Sequence, residues 1–226
     1  MKFLLWDIDG TLLSSGGAGT RAMDLAFEEI FSVKDAFKGI RMSGKTDPEI
    51  MKEALIRHSI APDGKLPLLM DTYVKHLKLE ISNPNKMLMP GIEEALKALL
   101  LTEGFRLGLL TGNIERGARI KLSAFALNGF FPVGAFGSDD EDRNKLLPIA
   151  VKRFNSLYGA DLPFKDCVVI GDTPRDIACA KPYGAHAVCV ATGKYSEDEL
   201  RAAGADMAFG DLSDTKTFLR GLSLIA

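Results

Sequence analysis

Residues 6–11 read W-D-I-D-G-T and follow the apolar run Phe3-Leu4-Leu5-Trp6. An apolar run stopped by Gly10 predicts a short buried strand, and side chains at i and i+2 leave a strand on the same face. Asp7 and Asp9 then stand side by side at the strand's end. Neighbouring carboxylates repel and resist desolvation unless a cation or a proton lies between them. A simple turn at Asp9-Gly10, with Asp7 half-solvated, is the alternative reading. The rest of the chain decides between a turn and a site.

From Gly91 onward helix and strand patterns alternate, which predicts a parallel sheet wrapped by helices. A helix over 92–102 stops at Gly104, and the strand F-R-L-G-L-L at 105–110 runs into T-G-N. A helix from about Ile114 to Ala126, a strand near 133–136 and a helix over 145–158 follow. The strand D-C-V-V-I at 166–170 runs into G-D-T-P-R-D, with a helix from Pro174 to Lys181. Strands at 186–190 and 206–209 and a helix over 214–220 complete the pattern. Ligands of open parallel sheets bind just beyond the carboxyl ends of the strands. D-I-D-G-T, T-G-N and G-D-T-P-R-D all fall at that edge, and their coincidence favours a site over a turn.

Between the first strand and Gly91 the pattern is helical. Thr20 is placed to cap a helix carrying Met23, Phe27, Ile30 and Phe31, Asp47-Pro48 opens a second, and Leu66, Leu69, Met70, Tyr73 and Leu77 mark a third. S-S-G-G-A-G at 14–19 and S-N-P-N at 82–85 read as flexible linkers on either side. The expected organisation is a doubly wound, Rossmann-like parallel-sheet α/β core, residues 1–14 and 85–226, with an inserted α-helical cap domain, residues 15–84.

The composition narrows the function. In 226 residues, 28 Lys and Arg stand against 30 Asp and Glu, a formal charge of −2 that provides no global field for nucleic acid or an anionic membrane. Hydrophobic residues make up 46%, enough for a substantial core, yet no run approaches the ~20 apolar residues of a membrane span. Cys167, Cys179 and Cys189 lack paired spacing and read as buried free thiols of a reducing compartment. With no signal-like start, a cytoplasmic protein is expected, with no nucleic-acid or membrane partner.

The ordered set D-I-D-G-T at 7–11, L-L-T-G-N at 109–113, a basic residue in R-N-K at 143–145 and G-D-T-P-R-D at 171–176 resembles the haloacid dehalogenase superfamily. The branch it resembles is that of phosphatases with a helical cap, phosphoglycolate phosphatase-like, and the resemblance spans the whole chain. It implies an Mg²⁺-dependent phosphatase acting on a small phosphorylated metabolite through an aspartyl-phosphate. Asp7 would be the nucleophile, and Asp9 the acid that protonates the departing alcohol and then the base that activates water. Mg²⁺ would be held by Asp7, the backbone carbonyl of Asp9 and Asp172, with Asp176 orienting the set. Thr111 and the amides of Gly112 and Asn113 would bind the phosphoryl oxygens. Arg143 or Lys145 would supply the positive charge; relatives more often carry Lys followed by Pro at this place.

Asp9 separates phosphatases and phosphomutases from dehalogenases, which lack an acid there, and from ion-pumping ATPases, which carry Thr. Asp47 lies where a sugar-phosphate mutase is expected to show Arg, which leaves a phosphomutase of the β-phosphoglucomutase type as runner-up. A low-turnover binding protein is the second alternative. In the cap, Arg41, Lys45 and Thr46 are candidate substrate contacts; equally, Thr46 and Asp47 cap the helix while Arg41 is solvated. Lys45 as a Schiff-base lysine, G-G-A-G as a dinucleotide loop and the scattered His58, His76 and His186 as catalysts all rank below solvation, hinge and packing roles. Asp139 to Asp142 read as a solvated loop.

Overall fold

A computed structural model describes residues 1–225. Its centre is the strand that precedes the two aspartates. In β1 (Lys2–Trp6) Leu4 and Trp6 point into one hydrophobic cluster while Phe3 and Leu5 point into another. A strand covered on both faces reads as a continuous apolar run, which is why Phe3 to Trp6 shows no polar alternation.

The same division runs through β4 (Phe105–Thr111), β6 (Cys167–Gly171) and β7 (His186–Val190). With β5 (Gly134–Phe136) and β8 (Met207–Phe209) they form a parallel sheet of order β5-β4-β1-β6-β7-β8. One face is covered by α4 (Ile92–Leu101), α5 (Glu115–Ser123) and α9 (Thr215–Leu224). The other is covered by α6 (Leu146–Tyr158), α7 (Pro174–Ala180) and α8 (Glu197–Ala202). Gly108 lets the sheet pack closely, since a Cβ there would lie 2.5 Å from the Phe3 ring. The chain leaves β1 for β4 and β5 on one side, then returns for β6, β7 and β8 on the other. The order reverses at β1, so the crevice above Asp7 lies at the switch point of the sheet.

Helices α1 (Ala18–Phe31), α2 (Asp47–Arg57) and α3 (Leu66–Glu80) bury a hydrophobic cluster of their own, built on Phe27, Met51, Leu55, Tyr73 and Leu77. They are bracketed by a two-stranded antiparallel ribbon, β2 (Leu13–Ser14) against β3 (Met87–Leu88). The glycine stretch before α1 is an ordered corner. Gly16 and Gly17 take φ of +61° and +79°, a Cβ on Gly16 would lie 2.4 Å from Asn83 Oδ1, and Asn83 Nδ2 donates to the Ser15 carbonyl. Gly17 occupies the N-cap of α1, so Thr20 lies inside the helix rather than capping it.

Further differences from the pattern reading have local causes. Helix α5 ends at Ser123, short of Ala126, which adopts φ +57°. Helix α8 is held by a capping box between Ser196 and Glu199. All three cysteines are free and buried, and burial pushes the Cys167 and Cys179 thiols up to about 12. Among the described residues no helix is long and apolar enough to cross a membrane.

Candidate active site

The carboxyl ends of β1, β4 and β6, together with the loop after β7, floor a cavity of about 300 Å³ roofed by α1, α3 and the loop before α2. Asp7 extends β1, and its amide donates to the Ile170 carbonyl at 2.9 Å, so the sheet ladder itself fixes its position. The turn after it folds back on the Ile8 carbonyl, which accepts from the amides of Leu12 and Leu13. Gly10, at φ +86°, leaves room for the Asp172 carboxylate, from which a Cβ would stand 2.5 Å away. Gly193 does the same from the loop after β7, with a Cβ at 1.8 Å. Any side chain at either place collides with that carboxylate.

Asp7, Asp172 and Asp176 are buried, and their carboxylate oxygens lie within 4.8 Å of one another. Burial, opposed by Arg143, holds the Asp7 carboxyl above its ordinary range. Burial and the neighbouring Asp176 and Asp7 push Asp172 up to about 8. Such a cluster calls for positive charge, and Arg143 supplies part of it. Its guanidinium lies 3.3 Å from Asp7 and is paired with Asp176. Burial works against this cation, but the carboxylates of Asp176 and Asp7 hold it firmly protonated. Asp176 is already occupied: one oxygen meets Arg143, and the other accepts from the Thr173 amide and hydroxyl in the capping box that opens α7. Asp172 accepts from the Thr11 hydroxyl at 3.2 Å, which leaves it and Asp7 the better-exposed oxygen donors.

Asp9 is directed away from this cluster. Its Oδ2 accepts from Asn113 Nδ2 at 2.9 Å and from Lys121 Nζ at 2.6 Å. Thr111, at the end of β4, lies beside Asp7, and its hydroxyl accepts from the Asn113 side chain at 2.9 Å. Thr111, Gly112 and Asn113 thus form a short turn between the two aspartates. Gly112 permits a close approach from above: a Cβ would lie 2.1 Å from the Lys45 carbonyl.

The remaining sequence candidates divide. Lys145, at 61% side-chain exposure, points away from the cavity and meets Asp140, whereas Arg143 is 4% exposed inside it. The three-residue turn 143–145 separates them, because its two basic residues leave in different directions. Arg41 is exposed and does not line the cavity. Lys45 lines it, but its ammonium pairs with Glu53 at 2.5 Å and Glu49 at 3.5 Å. Thr46 is spent on structure: its hydroxyl accepts from the Glu49 amide as the N-cap of α2 and donates to the Glu141 carbonyl.

Two residues at this contact have partners that the sequence did not indicate, although Asp47 opens α2 as its pairing with Pro48 predicts. Asp47 is buried between the helical insertion and the sheet. Its amide donates to the Gly112 carbonyl at 2.7 Å, and its carboxylate accepts from the Ile114 amide at 2.9 Å. Burial, partly offset by Lys121, pushes it up to about 6. The folded protein therefore binds this proton more tightly than the unfolded chain, with an ordinary value of 3.8. The stabilising contribution of neutral Asp47 is complete below pH 3.8 and is lost as pH rises through about 6. Asp47→Asn keeps the acceptor for Ile114 without the charge. Chemical denaturation should find it more stable than the native protein by about 2–3 kcal/mol above pH 7, with the gap closing toward pH 4.

Lys121, the second, lies on the buried side of α5 near Ala118 and Leu122. A lysine on the sheet-facing side of the helix that follows T-G-N was the available signal.

Comparison with known proteins agrees with this architecture. The haloacid dehalogenase-like hydrolase family matches residues 1–184. The phosphoglycolate phosphatase of Nitrosococcus oceani is 23% identical over 220 residues, covering 96% of each chain. "Probable phosphatase IndB" of Dickeya dadantii is 32% identical over 200 residues, covering 88% of this chain and 85% of its own. The crystal structure of CbbY from Rhodobacter sphaeroides in complex with phosphate superposes with a TM-score of 0.76 at 20% identity, covering 99% of both chains. A match over most of the chain means that this protein belongs to the haloacid dehalogenase-like hydrolases.

Proposed function

We propose that the protein is an Mg²⁺-dependent phosphatase of small phosphomonoesters, phosphoglycolate phosphatase-like, working through an aspartyl-phosphate on Asp7. The observation that carries this reading is the separation of two carboxylates only two residues apart. Asp7 sits with Arg143, Thr111 and Asp172, while Asp9 is turned toward Asn113 and Lys121. This division supports a role for one at phosphorus and for the other at the leaving oxygen.

Asp7 and Asp172, with Asp176 behind them, would hold the cation, and the glycines at 10 and 193 leave room for the Asp172 carboxylate. When bound, a hard dication screens the ionised nucleophile from its anionic substrate and takes up charge in the transition state. Arg143 and the Thr111–Asn113 turn bind the equatorial phosphoryl oxygens. An Asp7 carboxylate oxygen attacks phosphorus, the ester P–O bond breaks, and Asp9 gives its proton to the departing alkoxide. Ionised Asp9 then takes a proton from water as the water oxygen attacks phosphorus, releasing inorganic phosphate and restoring Asp7.

The cavity of about 300 Å³ suits a small leaving group. The helices at 18–80, with their own hydrophobic cluster, form a cap of residues 15–84 that closes on it. Phosphate release from 2-phosphoglycolate, sugar phosphates, a sugar bisphosphate and nucleotides, with Mg²⁺ or EDTA, tests this. Release from a small ester that stops in EDTA and returns with Mg²⁺ is the expected result. No release from any ester overturns the reading, and a requirement for the bisphosphate as primer makes the protein a mutase.

A further inference from the structure

Lys121 is charged, only 4% exposed, and held in a place where an apolar side chain would continue the surface of α5. Taking an ammonium out of water costs several kcal/mol unless its partners repay it. Its partners here are both pocket residues. Nζ donates to Asp9 Oδ2 at 2.6 Å and to Asn113 Oδ1 at 2.6 Å. The second bond fixes the amide of Asn113 so that its Nδ2 faces Asp9 and the Thr111 hydroxyl. Lys121 thus restrains Asp9 twice, directly and through Asn113. The restraint matters because Asp9 follows the end of β1 and its side chain is 40% exposed at the cavity wall. Gly19 in the first turn of α1 lies beside the ammonium, where a Cβ would make ordinary contact at 3.4 Å from Nζ.

We propose that Lys121 is a positioning residue for proton transfer: it anchors Asp9 through Oδ2 and leaves Oδ1 to carry the proton to the leaving oxygen. The proposal rests on the phosphatase reading. Its consequence is selective. An alkyl ester needs a proton on its leaving oxygen, whereas p-nitrophenolate departs without one, so loss of Asp9 alignment slows the first far more than the second.

The test compares kcat/KM for 2-phosphoglycolate and p-nitrophenyl phosphate in Mg²⁺, for the native protein, Lys121→Met, Lys121→Gln and Lys121→Arg. This parameter ends at transfer to Asp7 and release of the alcohol, so the later hydrolysis does not mask the effect. Lys121→Met should lose about 10²–10³-fold on the alkyl ester and less than about five-fold on the aryl ester, with partial recovery in Lys121→Arg. Should Lys121→Met fail to fold, Lys121→Gln, which keeps a donor without charge, provides the same comparison. Equal losses on both esters, or none on the alkyl ester, overturn the assignment while leaving the phosphatase reading intact. A native protein inert toward both esters removes that reading, and the assignment with it.

Discussion

Asp7→Asn should lower phosphate release by about 10⁴-fold or more, because on the proposed route Asp7 is the nucleophile and its loss abolishes the covalent step rather than weakening one contact. The substitution should cost no stability. Asp7 is buried among Asp172 and Asp176 and its carboxyl is already driven upward by burial, so a neutral amide relieves repulsion inside the cluster. The expected pair of results is an inactive protein with a melting temperature equal to or above the native one. Loss of activity through unfolding would show the opposite sign in the melt. Mass spectrometry of rapidly quenched native enzyme should locate the phosphoryl group on the peptide containing Asp7, and Asp7→Asn should lack it. A variant that retains full turnover would move the nucleophile elsewhere.

The second large effect belongs to Arg143. Its guanidinium is 4% exposed, lies 3.3 Å from Asp7 and is paired with Asp176, and it also donates to the Gly44 carbonyl of the loop above the site. Removing one member of a buried ion pair leaves its partners uncompensated, which costs about 3–5 kcal/mol. Arg143→Met should therefore shift the denaturation midpoint by that amount in metal-free buffer. The shift should shrink in Mg²⁺, which binds the folded carboxylates in preference to the unfolded chain. Activity should fall by about 10²–10³-fold through loss of a donor to the phosphoryl oxygens. Lys145→Met is the matched control: its ammonium is exposed, so stability should stay within about 0.5 kcal/mol. Were Lys145→Met the damaging change, the placement of positive charge at phosphorus would be wrong.

The contrast between Arg143 and Lys145 marks the limit of one-dimensional reading. R-N-K carries two basic residues, and nothing in their spacing separates them. Their fates differ because 143–145 is a tight turn ahead of α6, and only its first side chain reaches back beneath the loop before α2. Lys45 and Thr46 show the same limit in the cap. Both stand close to the cavity, yet glutamates on α2 take up the ammonium and the helix N-terminus takes up the hydroxyl.

The sequence by itself determined the parallel sheet and the edge at which its chemistry gathers. Apolar runs such as Phe3 to Trp6 are local signals, and a strand that ends in D-I-D-G-T or G-D-T-P-R-D carries its polar cluster with it. The capping box S-E-D-E at 196–199, which opens α8, was equally local and was available to the eye. Only the tertiary structure decided which partners the two aspartates take, Asp7 meeting Arg143 and Asp9 meeting Asn113 and Lys121. Lys121 meets Asp9 across 112 positions, and Asp47 meets Gly112 and Ile114 from another part of the fold. Contacts of that kind leave no periodic trace, because the partner is selected by where two elements dock. A buried lysine becomes a partner for an acid only after a helix has been laid over the sheet and a cap over the helix.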